Sequence, residues 1–95
     1  MRDYDVVIVI QIDLDEAATT GLIDKVSGWI TESGGSVEKI ERWGKRHLAY
    51  QIRKQRDGYY VLFNARMQPS YVRDLERNLE ITEPVLRYLI TSHDD

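Results

Sequence analysis

From Tyr4 to Ile12 the chain reads Tyr-Asp-Val-Val-Ile-Val-Ile-Gln-Ile, apolar everywhere except Asp5 and Gln11. The β-branched residues suit a pleated strand. A period of two places Tyr4, Val6, Ile8 and Ile10 on one side, and Val7 and Val9 on the other. An ordinary antiparallel strand turns one apolar side to the core and one polar side to water. This strand has no polar side to offer, so whatever fold the chain adopts must cover it twice or leave an apolar surface for something else to cover.

The rest of the chain supplies one cover. Asp13-Leu14-Asp15-Glu16 opens a helix, and Asp13 with Glu16 three residues on has the spacing of a capping box. The helix is expected over about residues 15–33, with Leu22, Val26, Trp29, Ile30 and Ser33 along one side. Gly34-Gly35 ends it. An extended segment follows from Ser36 to about Lys54, interrupted near Trp43-Gly44, where a glycine in a strand marks a bulge or bend. In its second half Leu48, Tyr50 and Ile52 share one face, and His47, Ala49, Gln51 and Arg53 the other. Asp57-Gly58 signals a tight hairpin turn, which makes Tyr59–Met67 the return strand. Val61, Phe63, Ala65 and Met67 lie on one side of that strand, and Tyr60, Leu62, Asn64 and Arg66 on the other. Pro69-Ser70 opens a second helix running to about Leu79, with Val72, Leu75 and Leu79 inward. Pro84 closes that connection, Val85–Thr91 is a last strand, and His93-Asp94-Asp95 is a short polar end.

This order of elements, with right-handed crossovers, predicts an α+β fold of the ferredoxin-like split βαβ kind. It is a four-stranded antiparallel sheet with two helices on one face, forming one domain over residues 1–95. The other face is left without helices. On strands one, three and four it carries Val7, Val9, Tyr60, Leu62, Arg87 and Leu89, an apolar and aromatic surface of the kind that marks a partner site. Too little chain follows the last strand to cover it, so Val7, Val9, Tyr60, Leu62 and Leu89 are the expected partner-protein face.

Charge points to a second surface. Between Lys39 and Arg56 lie seven basic residues and one acid, Glu41, a local balance of +6 in a chain whose net charge is −3. A concentrated positive segment on an acidic protein suits a polyanion, because phosphates reward local potential rather than net charge.

Catalysis finds no support. The only histidines, His47 and His93, are isolated in sequence, and no cysteine is present, which removes thiolate chemistry and cysteine-held metals. Asp13, Asp15 and Glu16 are explained as acids at a helix N-terminus, and no glycine-rich phosphate loop is formed. Small acyl-phosphate hydrolases share this order of elements, but their glycine-rich arginine loop after strand one is replaced by Gln11-Ile12-Asp13-Leu14. No cofactor, metal or small-molecule substrate is expected. The N-terminus has no signal-peptide apolar region, and no apolar run nears the ~20 residues of a membrane span, so an intracellular soluble protein without membrane partners is expected.

Three runs carry a resemblance to a known family. Met1-Arg2-Asp3-Tyr4-Asp5-Val6 is similar to a Met-Arg-x-Tyr-Glu start. Gly44-Lys45-Arg46-His47-Leu48-Ala49-Tyr50-Gln51-Ile52 resembles a Gly-x-Arg-x-Leu-Ala-Tyr-x-Ile signature. Lys54 with Asp57-Gly58-Tyr59-Tyr60 resembles the basic residue, turn and aromatic pair that follow. Together they resemble the family of the sixth protein of the bacterial small ribosomal subunit, from Met1 to about Thr91. The resemblance implies a structural component of the small subunit in the cytoplasm. It would bind the central domain (platform) of 16S ribosomal RNA together with small-subunit protein eighteen. By position in the family pattern it implies RNA contacts at Arg2, Arg46, Lys54 and Arg87, and local charge adds Lys45, Arg53 and Arg56. His47 stands where arginine is common, and Glu80 where some members carry arginine. Two other readings compete: a sheet that stacks single-stranded RNA bases, which Val7 and Val9 on strand one fit poorly, and a small-molecule-sensing module that dimerises through its sheet, which does not need the positive segment.

Overall fold

The computed structural model describes residues 1–93, so Asp94 and Asp95 of the expected polar end lie outside the described residues. Six elements follow in order: β1 (Arg2–Gln11), α1 (Glu16–Glu32), β2 (Ser36–Ile52), β3 (Gln55–Met67), α2 (Pro69–Glu80) and β4 (Val85–Ser92). The strands form one antiparallel sheet in the order β2-β3-β1-β4. This is the ferredoxin-like arrangement.

The doubly apolar strand β1 sits between β3 and β4, paired with β3 from Arg2↔Met67 to Gln11↔Gly58. Its first side packs as expected: Val6, Ile8 and Ile10 are fully buried with Val61, Phe63 and Met67 of β3. Leu22, Ile23, Val26 and Ile30 of α1, and Leu75 and Leu79 of α2, close the same core. Trp29 and Val72, expected inward, are partly buried at its margin. Both helices therefore cover one face, and burying ten large side chains completely, at ~1.5–3 kcal/mol each for the aliphatic and aromatic ones, is the main term holding them there.

Helix α1 starts two residues later than the capping-box spacing suggests. Asp15, not Asp13, is the N-cap, and its carboxylate accepts from the Ala18 backbone N–H at 2.7 Å. Chain geometry decides this, because β1 persists to Gln11, whose N–H donates to the Pro84 carbonyl at 2.9 Å. Asp13 is thereby held in the turn. Glu16 pairs with Arg42 of β2 at 2.8 Å instead of closing a box. The Tyr59 hydroxyl accepts from Arg42 Nε at 2.8 Å, and this hydrogen bond leads the contacts that raise the guanidinium pKa above its ordinary value. Gly34, with φ +95, terminates the helix in the left-handed region that glycine tolerates.

The β2–β3 hairpin departs from its expected turn. Asp57-Gly58 is not a turn at all. Asp57 pairs with His47 and Gly58 with Arg46 inside the ladder, and the reversal falls at Arg53-Lys54 between the paired Ile52 and Gln55. Arg53 (φ 50) and Lys54 (φ 66) both adopt the left-handed conformation, as a two-residue hairpin turn of the right twist requires. Gly58 serves another purpose: a Cβ there would lie 2.4 Å from Val9 Cγ1. The glycine lets β1 and the hairpin approach, at a dipeptide whose sequence signals a turn.

Candidate RNA and partner interface

Beyond Gly58, β3 has no β1 residue opposite it, so residues 46–57 form a two-stranded arm that runs past the sheet. Its ladder is irregular: between the pairs His47↔Asp57 and Ile52↔Gln55, Leu48–Gln51 stand opposite Arg56 alone. The extra length lets the arm fold over one end of the helix-free face. Leu48 and Val9 are buried there with Leu86, and Ile52 and Tyr60 pack against them.

One residue of the expected partner face is thereby covered. Val9 is 4% exposed, covered largely by the chain's own arm. Leu86 joins it because β4 bulges: Val9 pairs with Arg87 and Ile10 with Val85, which leaves Leu86 unpaired. Neither the bulge nor the folding-back of the arm is visible as a period in the sequence.

The middle of the face stays open. Val7, Tyr60 and Leu62 are half-buried and Leu89 is 62% exposed. A shallow groove of about 220 Å3 runs between Val7, Val9, Tyr60, Arg87, Tyr88 and Leu89. Beside it lies Trp43, 40% exposed, stacked on Tyr60 with ring centroids 6.4 Å apart and Arg46 at 5.1 Å from its ring. Trp43 is absent from the partner face that the sequence predicts. A register shift between Arg42 and Gly44 hides its face from a simple two-residue count, and the Trp-Gly pair at the bend was the one available signal. The far end of the face is polar: Asp5 accepts from Asn64 and lies 2.9 Å from His93 Nε2.

The expected RNA residues divide into three groups. Arg46, Lys54 and Arg56 are exposed on the arm, and neither Lys54 nor Arg56 makes an ion pair or hydrogen bond among the described residues. Lys45 is also exposed and lies 3.8 Å from Asp57, which His47 Nδ1 approaches at 2.9 Å. Arg53 and Arg87 are exposed as well, but their guanidiniums are bonded to the protein: Arg53 donates to the Glu83 carbonyl at 2.6 Å and to the Val85 carbonyl at 3.4 Å, and Arg87 donates to the Tyr50 hydroxyl at 3.1 Å. Arg2 stands apart, because β1 runs from Arg2 to the Gln11↔Gly58 pair, a distance of roughly 30 Å at ~3.3 Å per residue. The structure thus gathers the arm cations but does not bring Arg2 to them.

Among the described residues no cluster of three metal-ligating side chains forms, and no helix is long and apolar enough to cross a membrane.

Residues 3–92 match the family model described as Ribosomal protein S6. The chain belongs to that family. Curated relatives agree. It is 47% identical over 91 residues to the small ribosomal subunit protein bS6 of Moorella thermoacetica, covering 96% of this chain and 93% of the relative. It is 46% identical over 95 residues to that of Caldanaerobacter subterraneus subsp. tengcongensis, covering all of both. In three dimensions it is similar to the crystal structure of 30S ribosomal protein S6 from Thermotoga maritima, with a TM-score of 0.91 at 27% identity, covering 97% of this chain and 87% of the other. The family is one of small-subunit ribosomal proteins, structural components of the ribosome rather than enzymes. The expected family and fold are therefore those found.

Proposed function

We propose that the protein is a non-enzymatic structural component of the small ribosomal subunit that binds the central domain of 16S ribosomal RNA together with small-subunit protein eighteen. It works in the cytoplasm as one RNA-binding module over residues 1–95, without cofactor, small-molecule substrate or membrane. The observation that carries this reading is the arm, where the second half of the positive segment of an acidic chain is folded into one exposed projection with Lys45 at its base. Lys45, Arg46, Lys54 and Arg56 offer phosphate contacts there, with Arg53 and Arg87 beside them and Arg2 as a separate contact at the far end of β1. The groove beside the arm, with Val7, Tyr60 and Leu89 around it and Val9 at its floor, forms with Leu62 on the same face the surface for the protein partner.

The test is binding to a central-domain fragment of 16S ribosomal RNA, with protein eighteen present, over a range of salt. Several phosphate contacts predict a steep fall of log affinity against log salt, by ~0.7–0.9 per contact. A flat dependence would overturn the reading and favour a sheet-mediated dimer that senses a small molecule.

A further inference from the structure

We infer that Arg53 and Arg87 are positioning residues that clasp the β2–β3 arm to the start of β4, so that Arg46, Lys54 and Arg56 meet phosphate while these two do not. The inference rests on the RNA-binding reading above and divides its cations by role.

The arm needs an anchor. Past Gly58 it has lost β1 as a neighbour, its own ladder is interrupted between His47 and Ile52, and an isolated two-stranded hairpin is marginally stable at best. Its contacts to the body converge on the start of β4. Leu48 and Ile52 pack on Val9 and Leu86. Tyr50 receives a hydrogen bond from Arg87, whose guanidinium carbon also lies 5.7 Å from the Tyr50 ring centroid. Arg53 reaches the carbonyls of Glu83 and Val85, on either side of Pro84, through its two terminal nitrogens.

Two features separate Arg53 from its neighbour Lys54. A guanidinium is a rigid fork that can hold two carbonyls at once, whereas an ammonium is a point charge on a flexible stem, so this anchor calls for arginine specifically. Arg53 and Lys54 are also both left-handed non-glycine residues, a conformation that persists only where surrounding contacts determine it. The Arg53 fork supplies such contacts at the turn itself, whereas the Lys54 side chain, in the same exposed class, has no internal partner among the described residues.

A charge-preserving substitution distinguishes positioning from contact. Wild type, Arg53→Lys, Arg53→Gln, Arg87→Lys and Lys54→Gln are compared in two measurements. One is amide hydrogen exchange of the free protein. The other is salt-dependent binding to the central-domain RNA fragment with protein eighteen in excess. Arg53→Lys is expected to speed exchange across residues 46–57 while leaving the β1 core unchanged. It should also weaken RNA binding roughly 5–30-fold, the range of one lost anchor, with the salt slope of wild type. Arg87→Lys should act in the same direction. Lys54→Gln should leave exchange alone and lower the slope by ~0.7–0.9.

The inference is overturned if Arg53→Lys binds as wild type while Arg53→Gln lowers the slope by one contact, because Arg53 is then itself on phosphate. Unchanged arm exchange in both lysine variants also overturns it. If wild type shows no RNA binding, the RNA reading fails instead, and the exchange data still decide whether the clasp exists.

Discussion

Phe63 and Leu62 are neighbours on β3, yet one is fully buried beneath two helices and the other is half-buried on a face that no helix reaches. The contrast extends to whole faces. Beneath the helices, side chains from three strands and both helices form one continuous core. On the opposite face the apolar residues split into a small cluster sealed by the arm and an open groove beside it. Similar residues thus hold the fold together on one side, fix a projection at one end of the other, and remain available between. An apolar excess that the chain does not cover itself is where an outside partner is expected.

The largest expected effect breaks or upholds this contrast directly. Phe63→Asp places an unpaired charge in the core and should cost more than about 4 kcal/mol, enough to unfold a small domain. Leu62→Asp should change stability by about 1 kcal/mol or less but weaken pairing with protein eighteen. Urea unfolding of both variants decides, and if Leu62→Asp unfolds the isolated protein, the open face is core and the contrast is void.

Gly58→Ala sharpens it. The added methyl would lie 2.4 Å from Val9 Cγ1, and Val9 is too short and branched to swing away. A loss of about 1–3 kcal/mol is expected, measurable as a lower urea midpoint. A neutral result would mean that the arm end of the face is loosely packed, unlike the helix side.

On the helix side, Asp15→Ala should cost about 1 kcal/mol through loss of the cap, whereas Asp13→Ala should stay within about 0.5 kcal/mol. Thermal melts would show the ranking, and equal effects would return the cap to the position that sequence spacing suggested.

The smallest effect on the fold, and the sharpest separation of fold from function, is expected for Arg46→Glu with Lys54→Glu. Stability should move by less than about 1 kcal/mol, because both side chains are exposed. Incorporation into the small subunit should fall sharply. Normal incorporation with an unchanged circular dichroism spectrum would remove these residues from the RNA surface.

Much of the architecture was legible because local signals and tertiary needs coincide there. The alternation in β1 and β3, Pro69 at the start of α2 and Gly34 after α1 all mean in the structure what they mean in isolation. Legibility fails where one residue type serves two purposes. Asp57-Gly58 carries turn chemistry, but Gly58 is needed for close approach to Val9, and the true turn uses Arg53-Lys54, whose conformation is supported by carbonyls thirty residues away in sequence. Val9 kept its expected side, but its cover comes from an irregular ladder that period-two counting does not describe. The positive segment was plain in the sequence. Which of its cations are tied internally was not, because Arg42 and Arg53 find their partners, Glu16 and the Glu83 carbonyl, only once the chain is folded.

The arm also makes the molecule electrically lopsided. Residues 46–57 carry +3 and the remainder −6, so a polyanion far away meets net repulsion. It meets attraction only when the projection comes within a screening length, about 8 Å at physiological ionic strength. Field gradients of this kind act as a torque on a tumbling protein and select productive orientations during encounter. A body of one sign with a short projection of the other is therefore self-aiming, and it discourages loose adhesion by any other part of its surface.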